Sequence, residues 1–103
     1  MSAWQTRNIL VPDDHPTAAG HFPGRPIVPG ALLLDTVVAS IDDAQGSIIG
    51  GIMIRNAKFL RPVRHGTPLQ LRWQKAGSAL FRFECLSPEG VALAGMLATG
   101  VEP

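Results

Sequence analysis

The stretch Gly20-His21-Phe22-Pro23-Gly24-Arg25-Pro26-Ile27-Val28-Pro29-Gly30 runs straight into Ala31-Leu32-Leu33-Leu34-Asp35-Thr36-Val37-Val38-Ala39-Ser40-Ile41, and its reading decides the fold. Pro23, Pro26 and Pro29 recur at every third position. Each fixes its own φ and pushes the residue before it toward extended conformations, so the stretch up to Gly30 reads as a stiff, irregular loop. From Ala31 the pattern changes to leucine, alanine and valine on nearly every helical face. That predicts a helix over Ala31–Ile41 that is buried all round. Asp42 and Asp43 are expected just beyond its last turn, because acidic groups oppose the dipole at a helix C-terminus. Gly46 suits a left-handed cap.

On the N-terminal side, Thr6–Val11 reads as a short strand ended by Pro12-Asp13-Asp14-His15-Pro16. On the C-terminal side the chain is strand-like. Ser47–Arg55 is apolar on both faces, which predicts a central buried strand with a bulge at Gly50-Gly51. Ala57–Arg61 follows. Leu69, Leu71 and Trp73 then alternate with polar residues, as do Phe81, Phe83 and Cys85. Ser87-Pro88-Glu89-Gly90 is a turn, and Val91–Val101 is the last strand. The expected architecture is α+β, a curled antiparallel sheet around one central buried helix, forming one domain over residues 1–103. A second chain would complete the cover of the helix and extend the sheet across its edge.

Composition narrows the function. Of the 103 residues 46% are hydrophobic and 17% charged, more apolar material than a small monomer needs to fill its core. The net charge of +1 gives no basic stripe for nucleic acid and no acidic tail. Cys85 is the only cysteine, so no intrachain disulfide forms. The longest nearly uncharged stretch, Ile27–Val38, is too short for a bilayer span, and Met1–Gln5 has no signal-peptide start. A cytoplasmic location away from membranes is expected.

Three residues carry chemistry. His21 stands at the start of the proline-stiffened loop. Alone it reads as a loop histidine without a task, as His15 and His65 do. Asp35 is the only charge in an otherwise apolar helix. Burying a carboxylate costs several kcal/mol unless it is paired or protonated. It reads as a satisfied structural group, as part of a helix face that reaches solvent, or as a carboxyl in an apolar site, able to act as an acid. Gly30 lies where helix N–H groups lack intrahelical partners, and those donors can polarise a carbonyl oxygen. A base, a polarising N–H and an acid are what β-elimination next to a thioester requires. The α-proton is acidic only when the carbonyl is polarised, and the β-hydroxyl leaves only when protonated.

His21-Phe22-Pro23-Gly24, then Pro26, Pro29-Gly30 and Asp35, together with Ala57-Lys58-Phe59-Leu60-Arg61-Pro62-Val63, resembles the bacterial 3-hydroxyacyl-(acyl-carrier-protein) dehydratases. The histidine and the acid are fourteen positions apart, as in that family. The match covers roughly Val11–Leu71 well and the later strands loosely. The resemblance implies a hot-dog fold, dimerisation, and an active site built across the dimer, with His21 from one subunit and Asp35 from the other. His21 would take the α-proton, Asp35 would protonate the departing hydroxyl, and the Gly30 N–H would bind the thioester carbonyl. The Ile27 carbonyl would hold the other nitrogen of His21, and Phe22 would line the substrate site. A cis peptide at His21–Phe22 belongs to the same pattern. The reaction needs neither metal nor redox cofactor, the substrate being carried on the phosphopantetheine of an acyl carrier protein.

The chain departs from the family in three ways. The commoner branch has glutamate at the acid position, where Asp35 matches the branch that also isomerises the double bond. Many members have glutamine one turn after the acid, where this chain has Ala39. The chain is also short. The small size, the aspartate and the helix sequence resemble the compact dehydratases of polyene-type pathways more than the housekeeping enzymes of fatty-acid biosynthesis. Arg25, Arg55, Lys58, Arg61 and Arg64 are candidates for a basic carrier-protein patch, Arg25, Arg61 and Arg64 foremost, the alternative for each being a solvated surface charge. The expected function is a lyase making a trans-2-enoyl thioester. The alternatives are a non-catalytic subunit of a heterodimeric hot-dog dehydratase and a hot-dog acyl thioesterase.

Overall fold

The computed structural model describes residues 3–12, 27–46 and 51–100. Its elements are β1 (Gln5–Ile9), α1 (Gly30–Ala44), β2 (Ile52–Phe59), β3 (Leu69–Gly77), β4 (Leu80–Ser87) and β5 (Gly90–Thr99). The strands form one antiparallel sheet in the order β1-β3-β4-β5-β2, open at both edges among the described residues. This is the hot-dog arrangement that the sequence resemblance implies.

Period-two alternation builds the inner face. Leu69, Leu71 and Trp73 of β3, Phe81, Phe83 and Cys85 of β4, and Leu93 and Leu97 of β5 point to one side and are all buried. Register aligns them in rows, with Leu71 opposite Cys85 and Cys85 opposite Leu93, and Trp73 opposite Phe83. Onto this face α1 lays Leu33, Val37 and Ile41, which recur every fourth residue. The outer face carries polar pairs, such as Arg72 with Glu84 through Nε at 2.7 Å, and Arg72 lies 4.6 Å from the Trp4 ring centroid.

Three expectations are corrected here. The helix is not buried all round. Ala31, Asp35 and Ala39 form an exposed stripe, because one sheet covers only one side of a cylinder. Asp42 and Asp43 lie within the last turn, since the helix continues to Ala44. The unfavourable dipole term at Asp43 is offset by Arg7 of β1, whose guanidinium donates to the Asp43 carboxylate at 2.7 Å and to the Ser40 carbonyl at 2.9 Å. The strand after the helix is one edge strand, Ile52–Phe59, rather than a central strand followed by a second short one. Its bulge falls at Arg55, between Ile54 paired with Leu97 and Asn56 paired with Met96. Gly50 lies outside the described residues, whereas Gly51 precedes the strand with a φ of 81°. Gly46 takes the left-handed conformation expected of it, with φ 78°.

Gly95 of β5 packs directly against the β2 backbone. A Cβ there would collide with the Asn56 carbonyl oxygen and approach Phe83 Cζ to 2.8 Å. The backbone cannot yield without opening the β2–β5 pairing. Gly95→Ala is therefore expected to destabilise the fold by about 3 kcal/mol. Urea denaturation measures this, and an unchanged midpoint would contradict the packing described.

Candidate active site

The proline loop leads into α1 at Pro29, which caps the helix without a side-chain hydrogen bond, and the Leu33 N–H donates to the Pro29 carbonyl at 3.0 Å. Proline suits this place because its φ of −57° is already close to helical and no N–H is needed. Gly30 is then the first helical residue, among the N–H groups that the helix itself does not satisfy. Its lack of a side chain is used locally. A Cβ at position 30 would lie 3.1 Å from Phe59 Cε1, so glycine lets the aromatic ring of β2 close over the helix start. Phe59 remains 51% exposed.

A cavity of about 400 Å³ opens beside this contact, lined by Val28, Gly30, Leu33 and the run from Phe59 to Val63. A second cavity, of about 480 Å³, shares Pro62 and Val63 with it and extends past Ile27 and Arg64 to Thr67 and the Ser87–Glu89 turn. The segment between the two is pinned by backbone bonds: the Val28 N–H donates to the Val63 carbonyl at 2.8 Å and the Leu60 N–H to the Ala92 carbonyl at 2.8 Å. Ile27 bridges to Arg64.

Asp35 lies on the exposed stripe of α1, five residues after Gly30. That places it about 7.5 Å along the axis, with its side chain inclined back toward the helix N-terminus. Of the readings of Asp35, the helix face that reaches solvent holds for the single chain, because that face points away from the sheet, and the carboxyl held in an apolar site does not. The structure thus puts Gly30 and Asp35 on one helix. His21, Phe22, Arg25 and the His21–Phe22 peptide lie outside the described residues, and so does any contact of the Ile27 carbonyl with His21.

Of the basic candidates, Arg61 is tied down. Its Nε donates to the Val91 carbonyl at 3.2 Å and its guanidinium packs over Gly90. Arg64 is exposed at the mouth of the second cavity. No group of three or more His, Cys, Asp or Glu among the described residues is placed to hold a metal ion. No described helix is long and apolar enough to cross a membrane. Phe59 is the site residue that sequence reasoning missed. It was visible only as a member of a family-like strand, and its meeting with Gly30 depends on where the β2 edge passes the helix.

The model of the ApeI-like family, ApeI dehydratase, matches residues 4–96. The chain belongs to the ApeI-like dehydratase family. The 3-hydroxyacyl-(acyl-carrier-protein) dehydratase FabZ of Bartonella quintana (strain Toulouse) is 31% identical, over 85% of this chain and 63% of that protein. The chain therefore spans less than two thirds of the length of this curated relative. Among solved structures, an uncharacterized protein from Erwinia carotovora subsp. atroseptica superposes with a TM-score of 0.72 at 28% identity, over 95% of this chain and 83% of that one. The dehydratase heterocomplex ApeI:P from Xenorhabdus doucetiae shares the fold, with a TM-score of 0.70 at 23% identity, over 93% and 86%.

Cys85 sits in the core beneath the helix and plays no part in this site. Burial pushes its thiol up to about 11 from 9.0. The thiolate is the reactive form, so native protein is expected to resist a thiol reagent at about pH 8 and to react once unfolded. The folded state keeps a proton that the unfolded chain releases. This contribution to stability is present below pH 9.0 and is lost as the pH rises through about 11. Denaturation midpoints across that window should fall, and Cys85→Ala should flatten the slope.

Proposed function

We propose that the chain is a dehydratase subunit that eliminates water from a 3-hydroxyacyl thioester carried by an acyl carrier protein, giving a trans-2-enoyl thioester for fatty-acid or polyene-type biosynthesis. The observation that carries this reading is the placement of Asp35 and Gly30 on one helix of a family dehydratase, with the carboxylate on an uncovered stripe. A thioester carbonyl held by the Gly30 N–H would lie about one and a half helical turns from Asp35, a distance that an acyl chain laid along the helix would span. The rest of the site would come from a second hot-dog chain, a reading supported by the neighbour from Xenorhabdus doucetiae being a dehydratase heterocomplex. Asp35 of this chain would face a histidine of that chain, and His21 would serve the opposite site.

In the reaction, the histidine takes the α-proton as the Gly30 N–H stabilises the charge on the carbonyl oxygen. The electron pair forms the α,β double bond and the β C–O bond breaks. Asp35, as the carboxylic acid, gives its proton to the departing oxygen, and water leaves. The histidinium and carboxylate then return to their starting forms by proton exchange with solvent. No step calls on a metal or redox cofactor. Ala39 leaves Asp35 without a polar neighbour one turn along its own helix, so its orientation would be set from across the interface. A cytoplasmic location suits such a substrate. Phe22 and the Ile27 carbonyl would line the site and orient His21, and Arg25 and Arg64 would meet the carrier protein.

His21→Ala and Asp35→Asn are each expected to lower turnover by roughly 10²–10⁴-fold. Their melting curves should stay near the wild type, since Asp35 is exposed in the folded chain. The assay follows enoyl thioester formation from a 3-hydroxyacyl thioester, with the assembled complex. Full activity in either variant would sink the assignment. Release of free thiol from a saturated acyl thioester without dehydration would favour the thioesterase alternative. Loss of activity confined to substitutions in a partner chain would favour the non-catalytic one.

A further inference from the structure

The edge strand β2 reads Ile52-Met53-Ile54-Arg55-Asn56-Ala57-Lys58-Phe59 and carries two cations and no carboxylate. Ile52, Ile54 and Ala57 pack toward the core. The bulge at Arg55 lets both Arg55 and Asn56 face solvent, and Lys58 follows on the same outer face, opposite Ala94. Neither Arg55 nor Lys58 has an ion-pair partner among the described residues. No described carboxylate forms an ion pair with this face, although Glu84 shares a cross-strand row with Lys58 through Ala94. Asp35, Asp42 and Asp43 belong to α1 across the sheet. Glu84 is held by Arg72 two strands in, and Glu89 sits in the turn beyond the strand end.

An antiparallel pairing of this edge with its own copy is isologous, so each residue meets its counterpart near the axis. From ordinary strand spacing, registers that keep most of the strand paired bring the two Arg55 Cα atoms to within about 6–8 Å, or set Arg55 against Lys58. Like charges facing one another across strands are destabilising. Met53, at 46% exposure, and Phe59 still make the edge apolar enough to need a cover.

We infer that β2 is built to reject a second copy of this chain and to pair with a hot-dog chain whose edge strand carries aspartate or glutamate facing Arg55 and Lys58. This deepens the proposed function and rests on its reading that a second hot-dog chain joins at the sheet edge. Arg55 and Lys58 are the residues that select that chain.

The probe is this protein with Arg55→Glu and Lys58→Glu, which supplies the complementary charge on the same fold. Native mass spectrometry and light scattering follow each chain alone and the mixture. At about 0.01 M salt, where the Debye length is about 30 Å, like-charge repulsion acts at full reach. The wild type alone and the reversed chain alone should stay largely monomeric. The mixture should form a one-to-one complex at least about tenfold tighter, and salt should weaken it. Salt should instead strengthen the self-association of the wild type, as should Arg55→Gln with Lys58→Gln. Circular dichroism checks that each variant is folded. A wild type that dimerises at low salt as tightly as the mixture overturns the inference while leaving a partner at this edge in place. Absence of association in every combination removes the partner at this edge, and the inference with it.

Discussion

A single sheet can bury only one side of a helix, and the rest of this molecule follows from that limit. Leu33, Val37 and Ile41 fill the concave face of the sheet. Ala31, Asp35 and Ala39 are left outside, and so are Phe59 and Leu60 at the strand beside the helix start, each about half exposed. The apolar surface left uncovered is adjacent to the only carboxylate on that stripe and to the uncapped helix N-terminus. On the proposed reading, covering the helix and completing the site are one structural problem, met in one place.

The fold was legible because its signals are local. Alternation in Leu69-Gln70-Leu71-Arg72-Trp73 and in Phe81-Arg82-Phe83-Glu84-Cys85 fixes which side of each strand faces inward, and Pro29-Gly30 marks the start of the helix. Gly46 announced its end through the backbone angle that glycine tolerates. Hydrophobicity in Ala31–Ile41 told less. It shows that a helix will be covered, but not whether by its own sheet or by another chain, so a helix buried all round was the wrong reading for the single chain. Ser47–Arg55 failed for the same reason: an apolar strand was taken as central, whereas it lies at an edge. The bulge at Arg55 lies beside the close approach of Gly95 to Asn56, a contact between residues far apart in sequence.

The site was legible in part. The spacing from His21 to Asp35 and the glycine between them carried the family pattern, and Asp35 stood out as one charge among apolar residues. What the sequence did not reveal was the packing of Phe59 over Gly30, which depends on tertiary geometry. Nor did it separate the basic residues. Arg61 is bound to the β5 backbone, Arg64 stands at a cavity mouth, and Arg55 and Lys58 share the outer side of the edge strand. Four cations close in sequence thus have different surroundings, set by the alternation of the strand and the turns that follow it.

The strand order also governs how the chain comes together. Among the described strands β2 pairs only with β5, which follows β3 and β4 in the chain. Until Gly90–Thr99 has emerged, β2 has no neighbour, and its whole hydrogen-bonding ladder lies open after the helix and two further strands are complete. Contacts that close so long a loop form slowly, and unpaired strands invite association with other nascent chains. Positive charge at Arg55 and Lys58 on that open edge is the kind of side chain that discourages edge-to-edge pairing during the interval in which the strand is most exposed.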